Sequence, residues 1–319
     1  MIYHSTRSEL LKADSAAAVL EGLAPDGGLY VPAALPDFDW KACLQGSAMD
    51  MANAILSALL PHIPNMQQLV TKAYTGKFTT DELTPTVSVG DFGVLELFHG
   101  PTSAFKDVAL CMLPQLLTAA RAVKSPDESI LILTATSGDT GKAALEGFRD
   151  VDGIKICVFY PDGGVSQVQR AQMVTQEGNN VTVCAVKGNF DDAQTGVKNI
   201  FNAYRDKELP HRLSSANSIN IGRLAPQIMY YFRAYRDLLD AGKIALGDEV
   251  NFSVPTGNFG DILAGYFAKK LGLPVGKLIC ASNANNVLTD FIRTGTYDRQ
   301  RPLLKTTSPS MDILVSSNL

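Results

Sequence analysis

From residue 94 to residue 281 short apolar runs alternate with longer amphipathic stretches, and few folds accept that rhythm. Residues 94–98, 129–134, 155–160, 181–186, 249–254 and 277–281 read as strands, rich in Val, Ile and Leu. Residues 140–149, 166–176, 191–205, 223–241 and 262–271 read as helices, the fourth carrying Ile228, Tyr231, Tyr235 and Leu238 on one face, with Gly242 placed to stop it. Strands joined through helices run parallel, and a parallel sheet is covered on both faces. The pattern therefore predicts a doubly wound α/β fold with ligands at the carboxyl ends of the strands. Residues 1–90 form a mixed, largely helical region, punctuated at Leu23-Ala24-Pro25-Asp26-Gly27-Gly28. At 319 residues the chain has room for two α/β lobes beside it.

Composition narrows the function by exclusion. A net charge of −4 gives no basic footprint, so nucleic acid is not an expected partner. The longest apolar runs are too short to cross a bilayer, and residues 1–15 have no apolar core of a signal peptide. The five cysteines, Cys43, Cys111, Cys157, Cys184 and Cys280, form no C-x-x-C pair. They read as thiols of a reducing, cytoplasmic compartment, Cys157 and Cys184 as buried ones. With four scattered histidines no metal site is expected.

The first chemical signal is Leu97-Phe98-His99-Gly100-Pro101-Thr102-Ser103-Ala104-Phe105-Lys106-Asp107. Behind it runs an apolar stripe, Ala109, Met112, Leu113, Leu116, Leu117 and Ala120, which predicts a helix with Ser103 as N-cap and a kink at Pro114. Lys106 then sits in the first turn, where partial positive charge disfavours an ammonium and favours the neutral amine that attacks a carbonyl. The second signal, Val254-Pro255-Thr256-Gly257-Asn258-Phe259-Gly260-Asp261, lies between a strand and a helix, and its glycines let backbone N–H groups approach a phosphate. The same residues serve equally as a tight turn. The third, Thr134-Ala135-Thr136-Ser137-Gly138-Asp139-Thr140-Gly141-Lys142, fails as a P-loop, because Thr136 stands where the first glycine belongs and Ala143 follows the lysine. It remains a hydroxyl-rich helix start, suited to a carboxylate or simply well capped. No strand is followed by G-x-G-x-x-G, so no dinucleotide fingerprint is present. In the fourth, Ala216-Asn217-Ser218-Ile219-Asn220-Ile221-Gly222-Arg223, Arg223 and the asparagines suit an anionic tail, while capping by Ser218 or Asn220 beside a solvated arginine reads as well. A first-turn lysine, a phosphate-type loop and a carboxylate-type turn together describe a pyridoxal phosphate site.

These segments carry a resemblance. Over nearly its whole length the chain resembles the threonine synthases, pyridoxal-phosphate enzymes of the tryptophan-synthase-like, fold type II group. The likeness is strongest at Tyr3-His4-Ser5-Thr6-Arg7, Ala24-Pro25-Asp26-Gly27-Gly28-Leu29-Tyr30, residues 101–107, 136–141, Gly188-Asn189-Phe190-Asp191-Asp192 and residues 217–223. Residues 257–261 and Thr307-Ser308-Pro309-Ser310-Met311-Asp312 share it. The resemblance implies an N-terminal region over 1–92, a large lobe that binds the cofactor phosphate over 93–125 and 206–319, and a smaller α/β lobe over 126–205. It implies a C-terminal part missing after Leu319, since members of the family run further. Lys106 would be the Schiff-base lysine and Gly257, Asn258, Phe259, Gly260 and Asp261 the phosphate cradle. Ser137, Gly138, Asp139, Thr140, Asn217, Asn220 and Arg223 would bind substrate, with Lys187 a further candidate for its phosphate. The implied reaction takes O-phospho-L-homoserine and water to L-threonine and phosphate, in a monomer. A phospho-lyase or dehydratase on the same scaffold, or a catalytically silent phosphometabolite-binding protein, stays open beside it, the intact Lys106 arguing against the last.

Overall fold

The computed structural model describes residues 1–136, 138–204, 207, 209–255, 258–298, 300–308 and 311–312. At the N-terminus Ile2–Ser5 is the middle strand of a three-stranded antiparallel sheet, between Lys12–Asp14 and Tyr30–Pro32. The segments singled out by sequence here are bonded to one another. The Ser5 hydroxyl donates to Asp26 Oδ1 at 2.7 Å, Gly28 N–H donates to the same oxygen at 2.9 Å, and Arg7 Nη1 reaches the Asp26 carbonyl at 3.0 Å. A Cβ on Gly28 would stand 2.1 Å from Ser5 Oγ, so any larger residue there would have to displace that hydroxyl from Asp26. Helices Ser15–Glu21, Ala48–Leu59 and Met66–Tyr74 follow, the second opened by a Ser47–Asp50 capping box. Their apolar faces join one continuous core with the helix Asp107–Lys124, which the buried Tyr74 hydroxyl ties down by donating to the Val108 carbonyl at 2.9 Å.

That helix is buried from Asp107 to Leu117 on every side, more than the one-faced stripe predicted. It runs through Pro114 to Lys124. Proline has no N–H for the Leu110 carbonyl, and Gly147 of the neighbouring helix Asp139–Phe148 closes on that oxygen: a Cβ there would be 2.1 Å away. Helix start and sequence disagree. Ser103 takes a positive φ of 55° in the preceding turn, and Lys106 itself is the residue that opens the helix.

Four parallel strands lie in the order Val181–Val186, Ile154–Pro161, Ser129–Ala135, His211–Ser214. The edge strand His211–Ser214 comes from the segment assigned by sequence to the other lobe. Asp139–Phe148, Gln167–Val174 and Phe190–Tyr204 are the covering helices. Phe190, Val197 and Phe201 of the last pack with Leu133, Ala135 and the half-buried Cys157. Cys157 and Cys184 are free thiols, half-buried rather than buried, with their sulfurs 3.7 Å apart across neighbouring strands.

A second parallel pair, Val250–Pro255 with Val275–Ala281, is joined through the helix Phe259–Lys270. The first predicted strand differs in kind: Phe92–Leu95 folds back on Thr86–Val89 as an antiparallel hairpin, because only Gly90 and Asp91 separate them. The helix expected over 223–241 is three pieces, Ile221–Leu224, a 3₁₀ turn Ala225–Gln227 and Ile228–Asp240, with Pro226 lacking the donor that an unbroken helix requires. Gly242 follows the last piece at φ 64°, as its position predicts. Among the described residues no helix is long and apolar enough to cross a membrane, and no group of three or more His, Cys, Asp and Glu could hold a metal.

Candidate active site

Lys106 is 6% exposed, at the head of the central helix. Its loop is fastened by the next residue. Asp107, itself buried, accepts from Thr102 N–H at 2.8 Å, Thr102 Oγ1 at 2.5 Å and Ala104 N–H at 3.3 Å. Gly100 lies so close that a Cβ would be 2.4 Å from that of Asp107. Burial raises the Asp107 carboxyl above its ordinary range, against the pull of these donors and of Arg223. The lysine backbone is therefore fixed by bonds made one residue away, and its amine is left for other partners.

One of those partners is Asp139. Lys106 Nζ donates to Asp139 Oδ1 at 2.7 Å, and the ammonium also lies over the Phe105 ring, 5.4 Å from its centre. Burial lowers the lysine below its ordinary value, Asp139 opposes that, and the nearby Arg223 charge reinforces it. Asp139 opens the helix Asp139–Phe148, and the turn before it is closed by a hydroxyl. Thr136 Oγ1 accepts from Gly138 N–H at 3.0 Å and from Gly141 N–H at 2.9 Å. Thr140 N–H is taken by Asp139 Oδ1 at 2.9 Å. Ser137 lies outside the described residues.

Arg223 is 3% exposed, in the short helix Ile221–Leu224 that packs on the lysine helix. Its Nε and Nη1 are buried without a hydrogen-bond partner among the described residues. Burial pushes the guanidinium down to about 10, against Tyr230, Asp139 and Asp107. A buried fork with free donors costs several kcal/mol unless an acceptor arrives, and an anion is the acceptor that suits it. The two asparagines of the same segment serve the fold. Asn220 caps the short helix through Gly222 N–H at 2.8 Å and donates to the Val19 carbonyl at 2.9 Å. Asn217 donates to the Ala135 carbonyl at 3.1 Å, tying its loop to the end of the strand before Thr136. Lys187 is exposed just beyond the strand Val181–Val186.

Of the glycine loop, Thr256 and Gly257 lie outside the described residues. Asn258 caps the helix Phe259–Lys270, its Oδ1 accepting from Asp261 N–H at 3.0 Å. Phe259 and Gly260 start that helix, so their N–H groups have no carbonyl four residues back within it. Gly260 faces Ser218, which brings this loop against the Arg223 segment. The Asp261 side chain turns inward: Tyr230 and Tyr231 each donate to its Oδ1 at 2.7 Å. Burial raises its carboxyl, and those two hydroxyls oppose the rise. Sequence reasoning missed both tyrosines, Tyr231 because it was taken as apolar helix face and Tyr230 because it was not singled out, and it missed Gln169. That side chain lies against Gly138, where a Cβ would come 2.4 Å from its Nε2, and its Oε1 completes a capping box with Ser166. An S-x-x-Q spacing before a helix was the readable signal.

The arrangement, a buried amine of lowered proton affinity, an unsatisfied buried guanidinium and a glycine-bearing helix start, fits a phosphorylated aldehyde cofactor and an anionic substrate. Comparison with known proteins agrees. Residues 2–74 match the family model of the threonine synthase N terminus, and residues 81–318 match that of the pyridoxal-phosphate-dependent enzymes. A human protein named threonine synthase-like 1 is 44% identical over 95% of this chain and 43% of its own length. The threonine synthase of Pseudomonas aeruginosa is 43% identical over the whole of this chain and 67% of its own. The crystal structure of pyridoxal-phosphate-bound threonine synthase from Brucella melitensis superposes with a TM-score of 0.87, at 43% identity, over 100% of this chain and 68% of that one. The yeast enzyme superposes at 0.86, with 41% identity, over 99% of this chain and 65% of that one. The chain thus spans less than half the length of the human relative and about two thirds of these others. It belongs to the threonine synthase family of pyridoxal-phosphate-dependent enzymes.

Proposed function

We propose that the chain performs threonine synthase chemistry, converting O-phospho-L-homoserine and water into L-threonine and phosphate. The observation that carries this reading is Lys106, a buried amine 2.7 Å from Asp139 and near a buried arginine whose Nε and Nη1 have no partner among the described residues. Lys106 would hold pyridoxal phosphate, with Gly257, Asn258, Phe259, Gly260 and the Asp261 backbone around its phosphate. When bound, that cofactor supplies the electron sink for proton removal beside an amino group.

The protein's own residues supply the rest. Lys106, when freed from the cofactor, accepts and returns protons at its Nζ, a task that a lysine lowered toward neutrality performs best. Arg223 offers two free donors to the substrate phosphate. Gly138 and Thr140, at the start of the helix Asp139–Phe148, would receive the substrate carboxylate together with Ser137. A dehydratase on this scaffold would release 2-oxobutanoate instead. Product analysis with O-phosphohomoserine decides: threonine and phosphate in equal amounts, abolished by Lys106→Ala, support the proposal, and 2-oxobutanoate or no turnover overturns it.

A further inference from the structure

Asp139 stands where a substrate-carboxylate residue is expected, yet its own chemistry opposes that role. A carboxylate repels a second carboxylate, and in this structure Oδ1 is already engaged by Lys106 Nζ at 2.7 Å and by Thr140 N–H at 2.9 Å. We infer that Asp139 is the counter-ion of Lys106, holding its ammonium in place and taking its proton when the amine is needed, rather than a ligand of the substrate. The inference rests on the proposed role of Lys106 and adds the group that governs when that amine becomes neutral.

The surroundings leave Asp139 as the anion that meets this ammonium. Asp107, on the lysine's own helix, spends both oxygens on Thr102 and Ala104. Arg223, from the helix Ile221–Leu224, acts on Lys106 with the same charge, and Tyr230, from Ile228–Asp240, acts on Arg223 and is bonded to Asp261. Without Asp139, the buried ammonium loses the carboxylate that pairs with it among the described residues, while the buried guanidinium of Arg223 still repels it. The proton transfer is balanced within the pair: ammonium and carboxylate become amine and carboxylic acid, with no other reactant. Once the lysine nitrogen is neutral, Arg223 remains as the charge facing Asp139.

The test uses cofactor-free protein and trace acetylation by acetic anhydride, which reacts only with the neutral amine. The fraction of Lys106 labelled is read by peptide mass spectrometry as pH is varied. Asp139→Asn keeps the shape and removes the charge. It is expected to lower the pH of half-labelling by about one unit or more, while Asp139→Glu moves it back toward wild type. A profile in Asp139→Asn that superimposes on wild type, or moves to higher pH, overturns the inference. So does an Asp139→Glu profile that follows Asp139→Asn. Circular dichroism melting of each variant separates these outcomes from misfolding. Because neither cofactor nor substrate is present, a failure here counts against Asp139 alone, whereas failure of the functional reading shows in product analysis.

Discussion

Two turns of this molecule have the same plan, a parallel strand running into a helix with an aspartate in its first turn, and they dispose of that aspartate in opposite ways. After Ser129–Ala135, Asp139 faces the lysine amine at 2.7 Å. After Val250–Pro255, Asp261 turns inward to two tyrosine hydroxyls, each at 2.7 Å. The helix dipole favours an acid at both places and does not decide between them. The neighbours decide: a buried amine draws one carboxylate into the site, and a pair of buried phenols draws the other out of it. The turns also differ in their closure. Thr136 Oγ1 occupies two N–H groups of the first, whereas Asn258 caps the second among the described residues. A hydroxyl-rich turn is thus no anion site merely by being hydroxyl-rich, because the hydroxyl can be spent on the turn itself.

Several variants can break or sharpen that contrast. The largest effect is expected at the residue between the turns: Arg223→Ala should raise KM for O-phosphohomoserine by roughly 10- to 100-fold, the scale of losing charge-assisted hydrogen bonds. Unchanged kinetics would remove Arg223 from the site. Next, Thr136→Val leaves the Gly138 and Gly141 N–H groups without the hydroxyl and should cost about 1–3 kcal/mol of stability in urea unfolding. Asn258→Ala removes one cap from the other turn and should cost about 1 kcal/mol. Equal losses would mean that the two closures do not differ.

The smallest expected effect is a pH dependence. Burial raises Asp261 in the folded protein, so the folded state keeps that proton longer than the unfolded chain does. Its contribution is therefore fully present below the unfolded value of about 4 and is lost as pH rises through the folded value. Asp261→Asn has no such proton. The stability of wild type relative to this variant should fall as pH increases from about 4 upward, and a difference that is flat with pH would show that the tyrosine bonds cancel the burial.

Much of the scaffold was legible because local pattern and global fold agree. Residues 181–186 form the strand that alternation predicts, and Gly242 ends its helix with the expected positive φ. Failures occurred where a distant partner overrides the local signal. Ser103 looks like an N-cap, but Asp107 gathers the preceding loop and moves the helix start to Lys106. Asn220 looks like a ligand for an anion, but the Val19 carbonyl, far away in sequence, takes its amide. Pro226 inside the predicted 223–241 helix was a visible warning of the 3₁₀ break. Lys106 and Arg223 were legible as types and positions. Their burial was not, since it depends on helices that meet only in the folded core. That burial turns an ordinary lysine and arginine into a candidate active site.

The central claim is that Lys106 is the amine that holds pyridoxal phosphate. Incubating the protein with pyridoxal phosphate, reducing with borohydride and mapping the peptides by mass spectrometry tests it directly. The account predicts a phosphopyridoxyl group on Lys106 as the dominant product, absent from Lys106→Ala. A label spread over exposed lysines, or fixed at another one with Lys106 unmodified, would contradict it.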